Sequence, residues 1–204
     1  MKNLTFKQYR NIDLFLFGFL LIFSETITTL ATNKWFYAQP IAISTTFVFI
    51  CIMMMRWSGF AAIHATVGGL VFCIASGAKP HQYLIYIVGN CLALVAMVWF
   101  KLLTKEKIRK TPSLLVTFTI SAYLLMQIGR WVVSLFFSGT LNTLLTFVTT
   151  DSITLLFAIA VMILMRKVDG IIEDQKTYLF RLQREREESS ADLPDLEHGD
   201  EEII

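Results

Sequence analysis

The stretch Leu14-Phe15-Leu16-Phe17-Gly18-Phe19-Leu20-Leu21-Ile22-Phe23 decides the class of this protein. It carries no charge and sits inside an apolar run from 12 to 32. A helix needs about 20 such residues to cross the hydrocarbon of a bilayer. A cleavable signal segment is shorter and uncharged, whereas this run holds Glu25, so it reads as a mature spanning helix.

Five further runs repeat the pattern outward from it, at 35–55, 58–77, 82–100, 114–138 and 143–165. Hydrophilic breaks separate them at Asn33-Lys34, Arg56 and Lys79-Pro80-His81, and the longest break is Lys101 to Pro112. Of the 204 residues, 55% are hydrophobic and 17% charged, against about 25% charged in an ordinary soluble domain. Those charges collect in the first ten residues, in 101–110 and after 165. A soluble chain needs polar residues along every element to face water. The middle of this chain has few, so lipid is its solvent. The expected fold is all-α, with residues 1–165 forming a six-helix transmembrane bundle.

Lys and Arg in alternate loops give the expected orientation. One side holds Lys2, Lys7, Arg10, Arg56, Lys101, Lys105, Lys107, Arg109, Lys110, Arg166 and Lys167, and the other holds Lys34 and Lys79. Eleven against two places both termini in the cytoplasm of a cell-membrane protein. Trp35, Trp57, Trp99 and Tyr83 fall near span ends, where interfacial aromatics belong. Pro40 lies near the outer end of span two, where a kink is tolerated.

Residues 166–188 read as one cytoplasmic amphipathic helix continuous with span six. Val168, Ile171, Ile172, Gln175, Leu179 and Leu182 recur at helical spacing. That face can lie on the membrane, bind a cytoplasmic partner at 168–188, or pack on the cytoplasmic loops. Residues 189–204 are acidic and too polar to bury a core, which points to disorder.

An ionisable group in a span costs about 2.5–3.5 kcal/mol on insertion scales. Such residues face the protein interior or a watery cavity. They are Glu25, His64, Arg130 and Asp151, with Asn90, Gln127 and Asn142 as polar neighbours. At about 1.5 Å rise per residue, Glu25, Asn90, Arg130 and Asp151 share one layer in the outer half. Three readings follow: a structural salt-bridge cluster, an outward-open pocket for a small solute with Trp131, Tyr86 and Trp35 as aromatic walls, or proton-coupled chemistry on Glu25, His64 and Asp151. Arg130 is a forked donor suited to a carboxylate or phosphate.

In Gly59-Phe60-Ala61-Ala62-Ile63-His64-Ala65-Thr66-Val67-Gly68-Gly69, small residues allow close helix approach. Ala61, Ala65, Gly68 and Gly69 therefore mark a tight contact, inside the protein or with a membrane partner. His64 reads as a hydrogen-bonded interhelical residue rather than a ligand or proton carrier. No second His lies near it, so no metal site is expected. Cys51, Cys73 and Cys91 lie in apolar runs at spacings that fit packing. Walker A, HExxH, GxSxG and dinucleotide fingerprints are absent from the sequence, which argues against an enzyme with a catalytic site or bound cofactor. Nucleic acid is not an expected partner.

The stretches Trp57-Ser58-Gly59-Phe60-Ala61-Ala62-Ile63-His64-Ala65 and Thr149-Thr150-Asp151-Ser152, and Asp169-Gly170-Ile171-Ile172-Glu173-Asp174-Gln175-Lys176 in the tail, resemble substrate-binding S components of energy-coupling factor (ECF) transporters. The architecture over 12–165 is similar too. The resemblance implies a subunit that captures a micronutrient. It also implies partners: a transmembrane T component and two ATP-binding cassette ATPases. The family's Ala-x-x-x-Ala contact motif belongs on the first helix, and here the nearest equivalent is Ala61 to Ala65 on the third. Glu25, Asn90, Arg130 and Asp151 would then line the solute pocket. The alternative is a non-transporting membrane subunit or scaffold that recruits a cytoplasmic partner through its tail.

Overall fold

A computed structural model describes residues 5–37 and 41–191, and within these every regular element is helical. Pro40 and residues 192–204 of the acidic tail lie outside the described residues. The helices are α1 (Phe6–Trp35), α2 (Thr46–Trp57), α3 (Ala61–Ser76), α4 (Pro80–Cys91), α5 (Trp99–Leu102), α6 (Lys105–Lys110), α7 (Pro112–Leu135), α8 (Leu141–Thr150), α9 (Ser152–Met165) and α10 (Gln175–Ala191). Among the described residues, four helical stretches are long and apolar enough, by length and composition, to cross a membrane: Phe6–Trp35, Thr46–Ser76, Pro80–Leu102 and Pro112–Leu135. The pair α8 and α9, bent by 47°, makes a fifth if it is one span.

Local chemistry sets the ends. Thr5 caps α1, its hydroxyl accepting from Gln8 N at 3.3 Å while Thr5 N donates to Gln8 Oε1 at 2.9 Å. Pro80 and Pro112 open α4 and α7, where a missing N–H is harmless. Gly77, at φ +66°, closes α3 in the left-handed conformation that glycine adopts freely. Between α4 and α5, Leu92–Val98 tightens into a 3-10 helix.

The second apolar run departs from its expected 35–55 boundaries. Its helix starts at Thr46, and every residue of α2 except Phe49 is buried. Twelve residues rise about 18 Å, too little to cross a bilayer unaided. The sequence is apolar on all sides because protein surrounds it. Ser58, at φ +52°, turns the chain back, and α3 returns beside α2 so closely that a Cβ on Gly68 would meet the Thr46 side chain.

The sixth run also departs from an unbroken 143–165. It breaks at Asp151 (φ −93°, ψ 9°). The freed carbonyls find partners: Tyr123 Oη donates to Val148 O at 2.9 Å, and Ala42 N to Thr150 O at 3.0 Å. Non-helical backbone at membrane depth survives only where protein or cavity water satisfies it.

The expected helix over 166–188 is corrected as well. Helix α9 stops at Met165, and 166–174 is a folded turn with Gly170 at φ +77°. Helix α10 begins at Gln175, capped by Asp174 Oδ1, which accepts from Lys176 N and Thr177 N at 3.2 and 3.3 Å. It runs to Ala191, beyond the expected limit of 188. Ile172 and Gln175 mimicked one helical stripe in sequence, yet Ile172 is buried in the turn and Gln175, also buried, opens α10.

Candidate functional site

Two glycines build the site. A Cβ on Gly129 would lie 2.4 Å from Gly89 O, and a Cβ on Gly89 would lie 2.6 Å from Arg130 Cα. Helices α4 and α7 therefore meet backbone to backbone. The next residue on each helix is Asn90 and Arg130, so the close crossing brings those two together. Arg130 Nε donates to Asn90 Oδ1 at 2.8 Å.

The guanidinium then collects partners from the bent span. Arg130 Nη1 donates to Asp151 Oδ2 and, at 3.2 Å, to Gln127 Oε1. Gln127 Nε2 donates to the same Asp151 oxygen at 3.3 Å. Asn90 Nδ2 reaches Ala65 O on α3 at 3.4 Å. The Arg130 guanidinium carbon stands 4.6 Å from the centre of the Tyr86 ring, a cation–π arrangement. Arg130 and Asp151 are each only 3% exposed. Asp151 also opens α9, where the helix dipole favours an anion.

Glu25 is held apart from this knot. Its Oε2 accepts from Thr46 N at 2.8 Å and Thr45 Oγ1 at 2.9 Å, and its Oε1 accepts from Thr29 Oγ1 at 3.3 Å. It therefore caps the N-terminus of α2 from a neighbouring helix. Ser44 N donates to Thr154 Oγ1 at 3.0 Å, tying the start of α2 to α9. Each half-length helix thus presents its N-terminus to one acid: α9 to Asp151 and α2 to Glu25.

The other expected site residues fall as follows. Tyr86 lies under Arg130, as described. Trp131 does not join: its Nε1 donates to Thr140 O at 3.1 Å and closes the α7–α8 turn. One residue along a helix is a rotation of about 100°, which turns Trp131 away from the Arg130 face. Trp35 is 76% exposed at the end of α1, and Asn142 is exposed on α8. Ala61, Ala65, Gly68 and Gly69 are buried within the chain, with Gly68 against Thr46 of α2 and Gly69 against Tyr86 and Asn90 of α4. His64 is 1% exposed, and neither ring nitrogen has a hydrogen-bond partner among the described residues.

Sequence reasoning missed a second buried ion pair, at the opposite end of the bundle. Arg56 Nη2 and Nε donate to Asp13 Oδ1 and Oδ2 at 2.6 and 3.0 Å. Trp57 Nε1 donates to Asp13 Oδ2 at 2.5 Å, so this Trp is interior, not interfacial. Arg56 Nη1 donates to Gly170 O and, at 2.8 Å, to Ile171 O. Asp13 and Arg56 sit near the edges of apolar runs, where charges are ordinarily solvated. A carboxylate inside the boundary of span one was the available signal.

No family model, curated protein or solved structure matches this chain.

Proposed function

We propose that this chain is a multi-pass protein of the cell membrane that crosses six times with both ends in the cytoplasm. Its role in this reading is substrate capture for an ATP-driven micronutrient importer. Six crossings follow if the bent pair counts as one passage and the stretch 46–76, which folds back at Ser58, counts as two, with the non-helical 41–45 completing the short α2. The eleven-to-two distribution of Lys and Arg supports the orientation.

One observation carries the functional reading. A buried Arg130 meets a broken span at Asp151, beside the non-helical segment 41–45. Discontinuous helices whose N-termini face polar groups mark the solute sites of many transporters. Arg130 would engage an anionic or carbonyl group of a small polar solute, with Asn90, Asp151 and Tyr86 completing the contact. Glu25 would hold the adjoining start of α2 in place. A transmembrane T component and ATPases would supply the energy.

Native mass spectrometry of the purified full-length protein tests this. The expected result is a small solute bound to the wild type and lost in Arg130→Ala. Tyr86→Phe, which removes a hydroxyl used in none of these bonds, should keep the fold and weaken the solute. A wild type that carries no solute and is not stabilised by a panel of vitamins would overturn the reading.

A second reading has its own support. Helix α10 projects from the bundle with Phe180 62% exposed, a surface suited to a cytoplasmic partner. Capture of a soluble protein that depends on residues 175–188, without any bound solute, would favour a scaffold.

A further inference from the structure

At the end of the bundle that carries Asp13 and Arg56, a groove of about 400 Å³ opens between α6, the turn before α10 and the first turn of α10. Phe100 and Ile172 give it apolar walls, and Thr104, Lys105, Arg109 and Thr177 bring donors to it. Glu106, Glu173 and Asp174 also line it, but each is already engaged. Asp174 Oδ2 holds Lys105 Nζ at 2.6 Å while its Oδ1 caps α10. Glu173 accepts from Arg181 at 3.0 and 3.3 Å, and Glu106 pairs with Lys110 at 2.5 Å.

Arg109 is paired only loosely, with two carboxylates beside it and no hydrogen bond to either. Its side chain is only 12% exposed. Its Nε is buried with no hydrogen-bond partner among the described residues. Its Nη1 stands 3.7 Å from Asp169 and 3.6 Å from Glu173, beyond hydrogen-bond range. A buried donor left unmade costs the full desolvation of that group. The Thr104 hydroxyl accepts from Lys107 N at 3.3 Å, which leaves its own proton free to donate.

We infer that this groove binds a phosphate oxyanion on the Arg109 guanidinium, with the body of the ligand on Phe100. A guanidinium fork matches phosphate geometry, and the three oxygens of a phosphate can engage Arg109, Thr104 and Thr177 together. Phosphate arrives there from two sources, an anionic phospholipid headgroup or a soluble phosphate ester. The inference stands independently of the solute site proposed around Arg130.

The test uses the full chain in phosphatidylcholine nanodiscs. Inorganic phosphate and short-chain phosphatidylglycerol are titrated separately, with binding followed by 31P line broadening. The wild type should bind at least one of them, and Arg109→Gln should weaken that binding at least tenfold. Lys107→Gln removes an exposed cation outside the groove and should leave binding unchanged. Should Arg109→Gln fail to fold, Thr177→Trp blocks the groove from an exposed position and must produce the same loss. Binding of phosphatidylglycerol alone assigns a lipid, and binding of inorganic phosphate assigns a soluble ester. Absence of binding by either probe, or equal weakening by Lys107→Gln, overturns the site.

Discussion

Replacing Gly129 by Ala tests whether helix packing, and not hydrogen bonding alone, positions Arg130. The added Cβ lies 2.4 Å from Gly89 O and 2.6 Å from Leu92 Cβ. Relaxed carbon–oxygen contacts fall at about 3.3–3.6 Å, so α4 and α7 must part by roughly 1 Å. The Asn90–Arg130 bond, 2.8 Å long, lies one residue along on each helix. The same displacement takes it to about 3.8 Å, beyond the range of an N–H···O bond. Overpacking and the stranded polar atoms together should cost about 2–5 kcal/mol. Denaturant unfolding in detergent micelles measures this, in a cycle with Asn90→Ala. In the wild type Asn90→Ala should destabilise clearly, and in the Gly129→Ala background by less than about 0.5 kcal/mol, because the bond is already broken. A Gly129→Ala protein within about 0.5 kcal/mol of wild type would refute the reasoning. So would an Asn90→Ala cost that is the same in both backgrounds.

Two further outcomes are expected. Arg56→Met strands Asp13 in the interior and should cost about 3–5 kcal/mol by the same unfolding assay, while Asp13→Leu combined with Arg56→Met recovers most of it. Equal losses in the single and double variants would show that the ion pair itself, not the unpaired acid, dominates. Ser58→Gly relieves a residue held at φ +52° and should raise stability by roughly 1 kcal/mol, seen as a higher melting temperature. A fall would mean that the turn depends on the serine side chain.

Composition makes the helical class and the approximate apolar stretches legible, because lipid demands long uncharged runs. The breaks within them are less legible. At the start of α2 the Thr46 N–H meets both the Ser44 hydroxyl, a local cap, and Glu25, about twenty residues earlier. The local run Ser44-Thr45-Thr46 is of helix-starting types, but the distant carboxylate cannot be read from it. Asp151 stood out in sequence as a charge in a span, and it sits at the bend. The candidate site was half visible. Depth along the helices groups Arg130, Asn90 and Asp151, which do meet, but depth is blind to rotation and to lateral position. It therefore included Trp131, which faces the α7–α8 turn, and Glu25, which serves a different helix end. The tail misled for another reason. Ile172 and Gln175 share a spacing with a helical stripe, whereas Ile172 is buried in the turn and Gln175 at the start of α10.

The Arg56 guanidinium joins parts of the chain that are far apart in sequence. It takes Asp13 from the first helix and two carbonyls from residues 170 and 171. Asp13 and Arg56 are both made well before those carbonyls. A product that stops short of residue 170 keeps the long apolar stretches of the described residues yet leaves one Arg56 nitrogen without these two acceptors.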